Sequence, residues 1–292
     1  MRAILWKNIS LFRVLAAATV LSGLILTGSP SSISAQEPEG SDTKPAGEAN
    51  DSKQHDPGEI IKKMTDLMRG ESSYSEMKMT IHNPDWPKAR VYEMKGYEDK
   101  KNDKSFVRII SPAKERGKAF LKVGNTFKVY IPTVRENKPM TIPPSLMLQP
   151  WMGSDFSNDD LVHQSSEEDD YEHKVVGVET DGEGVELVKV RLDPKPEAPV
   201  VWGKVLIWVR AEDYLPVKEV YYDEDGIAIR EMNLSGIKDM GGRTLPTVWE
   251  MKSLEDDKLG RRTVIELVKI EFDIEIDPSI FSNKNLTRKD WE

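Results

Sequence analysis

The run Val264-Ile265-Glu266-Leu267-Val268-Lys269-Ile270-Glu271-Phe272-Asp273-Ile274-Glu275-Ile276 decides the fold class. Val268, Ile270, Phe272, Ile274 and Ile276 fall at alternate positions, with Lys269, Glu271, Asp273 and Glu275 between them. Successive side chains of a strand point to opposite faces, so this pattern predicts one face on an apolar interior and one in water.

The same period recurs towards the N-terminus. Met77, Met79 and Ile81 alternate with Glu76, Lys78 and Thr80, and strand-like runs follow at 90–98, 105–111, 118–123 and 125–131. They resume at 172–179, 185–192, 204–210, 216–222, 227–237, 243–252 and 262–276. Turn signals separate them, among them Asp181-Gly182, Asp225-Gly226 and Gly241-Gly242. Many short strands with few helices predict a mainly β (α+β) chain, an antiparallel meander forming a barrel, half-barrel or sandwich. Before the strands, Asp56-Pro57 opens a helix by capping. Ile60, Ile61, Met64, Leu67 and Met68 give it one apolar face, and Gly70 ends it.

The N-terminus reads as a signal peptide over residues 1–35. Arg2, Lys7 and Arg13 precede the apolar run 14–26, and small residues place cleavage after Ala35. An uncleaved anchor is the alternative, though the run is short for a membrane span. Residues 36–56 are rich in Glu, Asp, Pro, Gly and Ser and predict a disordered linker, leaving a domain over 57–292. An exported, periplasmic chain is expected.

Composition excludes several functions. A formal net charge of −9 is the wrong sign for nucleic acid. The chain has no cysteine, which rules out disulfides, thiolate metal sites and a lipidated N-terminal cysteine. No Gly-x-Ser-x-Gly elbow, phosphate loop or His-Glu-x-x-His helix occurs, and the four histidines, His55, His82, His163 and His173, lack ligand spacing. No catalytic residue, metal or cofactor is therefore nominated. A carbohydrate-active enzyme would need a carboxylate pair, and none stands out.

The segment 138–160 differs from its surroundings. Prolines forbid a long helix or a central strand, yet Ile142, Leu146, Met147, Leu148, Trp151, Met152 and Phe156 are apolar. It either caps an ordinary core or forms a lid over a ligand cavity. Ser157 with Asp160 predicts a capping pair opening a short helix. Trp202 and Trp208 are read as sharing one strand and one face, as core or as cavity lining.

Within this region Ser111-Pro112-Ala113, Gly117-Lys118-Ala119-Phe120-Leu121, Tyr130-Ile131-Pro132 with Arg135, and Trp151-Met152-Gly153-Ser154-Asp155-Phe156 with Asp160-Leu161 resemble the outer-membrane lipoprotein-sorting protein family, whose members are LolA-like. The close at Asp277-Pro278-Ser279-Ile280-Phe281 is similar too. Only Arg135 and Lys138 stand where the family commonly carries several arginines.

The resemblance implies a strongly curved antiparallel half-barrel, with short helices forming a lid over a hydrophobic cavity. It implies a non-enzymatic carrier that shields acyl chains of a lipid or lipoprotein for sorting toward the outer membrane. An inner-membrane exporter and an outer-membrane acceptor would be its partners. Each buried methylene would contribute about 0.8 kcal/mol. The cavity or lid is expected to draw on Ile61, Met64, Leu67, Met68, Phe120, Ile142, Leu146, Leu148, Trp151, Met152, Phe156 and Trp208. Arg135 is read as a lid or headgroup contact or as an exposed strand-end arginine. Ser111, Pro112, Gly117, Gly153, Ser154 and Asp155 are read as structural, the glycines in turns and Ser154 with Asp155 capping a helix. The rival reading is an envelope sensor or accessory subunit that docks on an exporter or another periplasmic protein.

Overall fold

Side-chain alternation along the chain is realised as a single antiparallel sheet. The structure is a computed structural model that describes residues 55–134, 138–162, 166–196, 198, 200 and 202–288, all within one unit, Pro45–Glu292. The predicted signal segment, most of the linker and Arg135 lie outside the described residues.

Helix α1 (Pro57–Arg69) begins where Asp56 accepts bonds from the backbone N–H groups of Gly58 and Glu59, with Pro57 in its first turn. It ends at Gly70, whose positive φ lets the chain reverse into the first strand. The strands are β1 (Ser72–His82), β2 (Arg90–Asp99), β3 (Lys104–Ser111), β4 (Ala119–Val123) and β5 (Thr126–Tyr130). Next come the short β6 (Met140–Thr141) and helix α2 (Asn158–Val162). The second half holds β7 (Tyr171–Thr180), β8 (Glu186–Pro194), β9 (Lys204–Arg210) and β10 (Pro216–Tyr222). It continues with β11 (Ala228–Met240), β12 (Arg243–Ser253) and β13 (Arg262–Phe272), and closes with helix α3 (Asn283–Leu286).

The strand order is β6-β5-β4-β3-β2-β1-β13-β12-β11-β10-β9-β8-β7, so the first and last strands of the meander pair at its centre. The two edges, β6 and β7, do not meet, and the sheet is an open half-barrel rather than a closed one. Its inner face carries two joined cores. Ile60, Ile61 and Met64 of α1 pack on Val188, Val190, Leu192, Val205, Ile207 and Val209. Met79, Met94, Ile109, Phe120, Phe127, Trp151, Phe156 and Met251 form the other. On the outer face the closing segment seats Phe281 and Leu286 against Phe106, Leu121 and Tyr130, while the Arg108 guanidinium donates to the carbonyls of Asn285, Leu286 and Arg288.

The deciding strand needs one correction. Met77 pairs with Leu267 but Glu76 pairs with Lys269, so Val268 has no partner on β1 and is a bulge. The extra residue reverses the facing of everything before it. Thr263, Ile265 and Leu267 point inward, Ile270 and Phe272 take over beyond the bulge, and Val268 is 60% exposed. Strand pairing also stops at Phe272, short of the predicted Ile276.

Candidate functional site

Small and flexible side chains leave space where the inner face would otherwise be filled. Ser73 and Ser75 of β1, Gly96 of β2 and Ser105 of β3 sit on that face, and Ser75 lies directly across from Gly96. Opposite them, Met64 and Met68 of α1 and Trp151 and Phe156 of the proline-broken segment stand over the sheet. Between these layers is a cavity of about 300 Å³ whose surface is mainly apolar. Six of the chain's twelve methionines, Met64, Met68, Met77, Met94, Met232 and Met251, contribute to its wall. Unbranched thioethers adapt to ligands of varied shape, which a rigid aliphatic wall does not. The volume lies at the lower end of the range for small-molecule sites.

The covering segment is built from local bonds. Trp151 packs edge-on against Phe120 with ring centroids 5.4 Å apart. Met152 and Gly153 both take positive φ, and a side chain at the glycine would strain this turn. The Ser154 hydroxyl donates to the carbonyl of Trp151 at 2.7 Å, and the backbone N–H of Trp151 donates to the carbonyl of Phe156 at 2.7 Å. The Thr263 hydroxyl donates to the Asp155 carboxylate at 2.7 Å and accepts from the Asp155 backbone N–H at 3.0 Å. Ser154 and Asp155 thus tie the loop to itself and to β13 instead of capping a helix. Ser157 and Asp160 form the predicted capping pair of α2, with Ser157 Oγ donating to Asp160 at 2.8 Å and accepting from its N–H at 3.2 Å.

Asp160 does more than cap. Both of its oxygens accept from the guanidinium of Arg230 on β11, at 2.6 Å each. Arg230 is 6% exposed and lies over the rings of Trp202 and Tyr221, 4.1 Å from each centroid. The guanidinium holds the Asp160 carboxyl below its ordinary range even though burial opposes ionisation. A charge pair this enclosed joins the covering helix to the sheet.

Other carboxyls of the cavity are not neutralised in this way. Burial raises Glu219 to about 7, and it accepts from the Tyr221 hydroxyl. Burial raises Asp159 to about 6, with Asp160 adding like-charge repulsion. At the other end Arg69 of α1 is paired with Glu98 of β2.

Of the residues expected at the cavity, Met64, Met68, Trp151 and Phe156 line it. Ile61 and Phe120 are buried in the supporting cores, and Ile142 and Met152 pack against one of them. Leu67 is half-buried on α1 and is not among the lining residues. Leu146 and Leu148 point to solvent, 42% and 51% exposed. Trp208 is on the opposite face of the sheet, beside Leu187 and Val220, and donates to Glu179 at 2.7 Å. Gly203 precedes the start of β9, so Trp202 lies outside the strand and reaches the cavity while Trp208 does not. Ser111 ends β3, Pro112 follows it, and Gly117 takes the positive φ of the following turn.

Arg230, Glu219 and the serine and glycine floor were not nominated from the sequence. Within the long alternating run 227–237 an inward-facing Arg230 breaks the polarity pattern, and that was the available signal. Among the described residues no group of three or more His, Asp or Glu side chains is placed to hold a metal ion, and no helix is long and apolar enough to cross a membrane.

Residues 101–288 match a family described as "-like: Uncharacterized protein". No curated protein matches the chain. Among solved structures, a DUF1329 family protein from Desulfovibrio piger is 22% identical with a TM-score of 0.69, over 80% of this chain and 100% of that one. A domain from Vibrio parahaemolyticus described as an outer-membrane lipoprotein-sorting protein domain is 19% identical with a TM-score of 0.68, over 80% and 98%. A LolA superfamily protein from Nitrosomonas europaea is 21% identical with a TM-score of 0.65, over 77% and 97%. At these identities the likeness is one of fold.

Proposed function

We propose that this chain, which belongs to the family matched by residues 101–288 and shares its fold with LolA superfamily structures, is a periplasmic carrier that shields acyl chains of a lipid or lipoprotein. The observation that carries this reading is the methionine-walled cavity beneath a segment joined to the sheet by the Asp160–Arg230 pair. Apolar burial is non-directional, so such a cavity holds a chain by area and flexibility rather than by polar contacts. An acyl chain loses little by leaving for another apolar environment, and release therefore requires a membrane or partner offering comparable burial. The chemistry is transfer without covalent change, and the site needs no catalytic residue for it. The apolar leader expected at 1–35 agrees with an exported chain.

Trp151, Trp202 and Trp249 line the cavity and serve as built-in donors for energy transfer to a pyrene-labelled acyl chain. Transfer that saturates at one probe per protein, and that is lost in Ser75→Leu/Ser105→Leu, supports the carrier. Absence of saturable transfer in the folded protein rejects it.

A second reading, a module that docks on an exporter or another envelope protein, is favoured by Met140, Leu146 and Leu148, which are apolar yet exposed around the covering segment. It predicts a binding partner that is retained when the cavity is filled.

A further inference from the structure

The polar atoms inside the cavity are unequal in sign. Among the described residues the arginine on its wall, Arg69, is taken by Glu98, and Arg230, behind the wall, is taken by Asp160. Asp159, Glu167 and Glu219 also line the cavity, and among the described residues none of the three has an ion-pair partner. Asp159 is 6% exposed and lines the cavity, and among the described residues no donor is bonded to its carboxylate. Glu219, half-buried, has the Tyr221 hydroxyl as its hydrogen-bond partner among the described residues. A buried carboxylate without a cation is costly to leave uncompensated. Carboxylates of this kind on the wall of a ligand-sized cavity are complementary to a positive, hydrogen-bond-donating group and repel a negative one.

We propose that the cavity is selective for amphiphiles with an ammonium headgroup, held at Asp159 and Glu219, and rejects amphiphiles with a phosphate headgroup. The inference rests on the acyl-binding reading above and adds the headgroup class to it. An ammonium supplies three donors, enough to bond a carboxylate and still satisfy water or a backbone carbonyl. Among the described residues of the wall, a phosphate would meet Asp159, Glu167 and Glu219 and no arginine without a carboxylate partner.

The groups that act on these two carboxyls fix the pH dependence. Asp160 and Glu167 repel both, and Arg230 attracts both. Lys122 also attracts Asp159, and Tyr221 donates to Glu219. Asp159 ionises near 6 and Glu219 near 7, so ammonium binding strengthens as pH rises through that window.

Isothermal titration of the purified, delipidated protein with dodecylammonium, dodecyl maltoside and dodecyl phosphate separates headgroup from chain. At about pH 8 dodecylammonium is expected to bind at least roughly tenfold tighter than dodecyl phosphate, and that preference shrinks towards about pH 5. In Asp159→Asn/Glu219→Gln the preference collapses while maltoside affinity is retained, which a general loss of folding would not give. Equal or tighter binding of dodecyl phosphate at about pH 8 overturns the headgroup assignment and leaves the carrier standing. Failure of all three to bind overturns the carrier reading as well.

Discussion

Replacing Asp160 by asparagine isolates the charge that joins α2 to the sheet. The side chain keeps its size and one acceptor for Ser157, but Arg230 loses its counter-charge while stacked on Trp202 and Tyr221. The side chains of Arg230 and Asp160 are 8% and 18% exposed, and both bonds are 2.6 Å, so solvent screens the pair little. Removing one partner of such a pair costs about 3–5 kcal/mol. Unfolding of the whole sheet is not needed to relieve it, because lifting 147–162 hydrates the guanidinium. The cost therefore appears as local opening, about two to three and a half orders of magnitude in the opening equilibrium at roughly 1.4 kcal/mol per factor of ten.

Hydrogen exchange reads this directly. The backbone N–H groups of Trp151, Asn158 and Asp159 donate to the carbonyls of Phe156, Gln149 and Met147, at 2.7, 3.1 and 3.0 Å. Their protection is expected to fall by that factor in Asp160→Asn while amides of the central β1–β13 pairing keep theirs. Replacing both partners with apolar residues, Asp160→Leu with Arg230→Met, is expected to restore much of the protection, since neither charge is then left buried. Unchanged exchange over 147–162 in Asp160→Asn, or an equal loss across the whole sheet, would refute the reasoning.

Further predictions concern the cavity and its surroundings. Ser75→Leu/Ser105→Leu places two larger side chains on the cavity floor, and acyl affinity should drop at least roughly tenfold with no fall in urea midpoint. Glu219 has its folded-state ionisation raised to about 7 from the ordinary 4.5, so the folded chain holds the proton more tightly than the unfolded one. That carboxyl costs nothing below about pH 4, and its ionisation withdraws stability as pH rises to about 7 and above, on the order of 3 kcal/mol. Glu219→Gln should accordingly gain stability over the wild type at about pH 8 and not at about pH 4, as measured by urea unfolding at both. Leu146→Asp/Leu148→Asp alters exposed positions, so unfolding free energy should move by no more than about 0.5 kcal/mol and acyl uptake should persist, whereas capture by a protein partner should fail if these residues dock.

Much of the fold was legible because its physics is local. Asp56, Pro57 and Gly70 delimit α1 by capping and backbone freedom, and period-two alternation placed β9 and β10 on their observed bounds. Alternation fails where an unpaired residue intrudes. Val268 flips the facing of the strand that had the clearest pattern, and only the pairing with β1 reveals it. The site was less legible for the same reason. Trp151 and Phe156 could be found as apolar residues in a proline-broken segment, but nothing local separates them from Leu146 and Leu148, which face solvent. The Asp160–Arg230 pair joins residues 70 positions apart, and the space itself comes from what is missing at Ser73, Ser75, Gly96 and Ser105. Absent volume has no signature in a hydrophobic pattern.

The central claim is that this cavity holds an acyl chain, and native mass spectrometry of the protein purified without detergent tests it most directly. The account predicts a species heavier than the polypeptide by the mass of one amphiphile, stripped on activation and missing from Ser75→Leu/Ser105→Leu. A folded wild-type protein that is observed only at its polypeptide mass, and stays there after incubation with acyl amphiphiles, would contradict it.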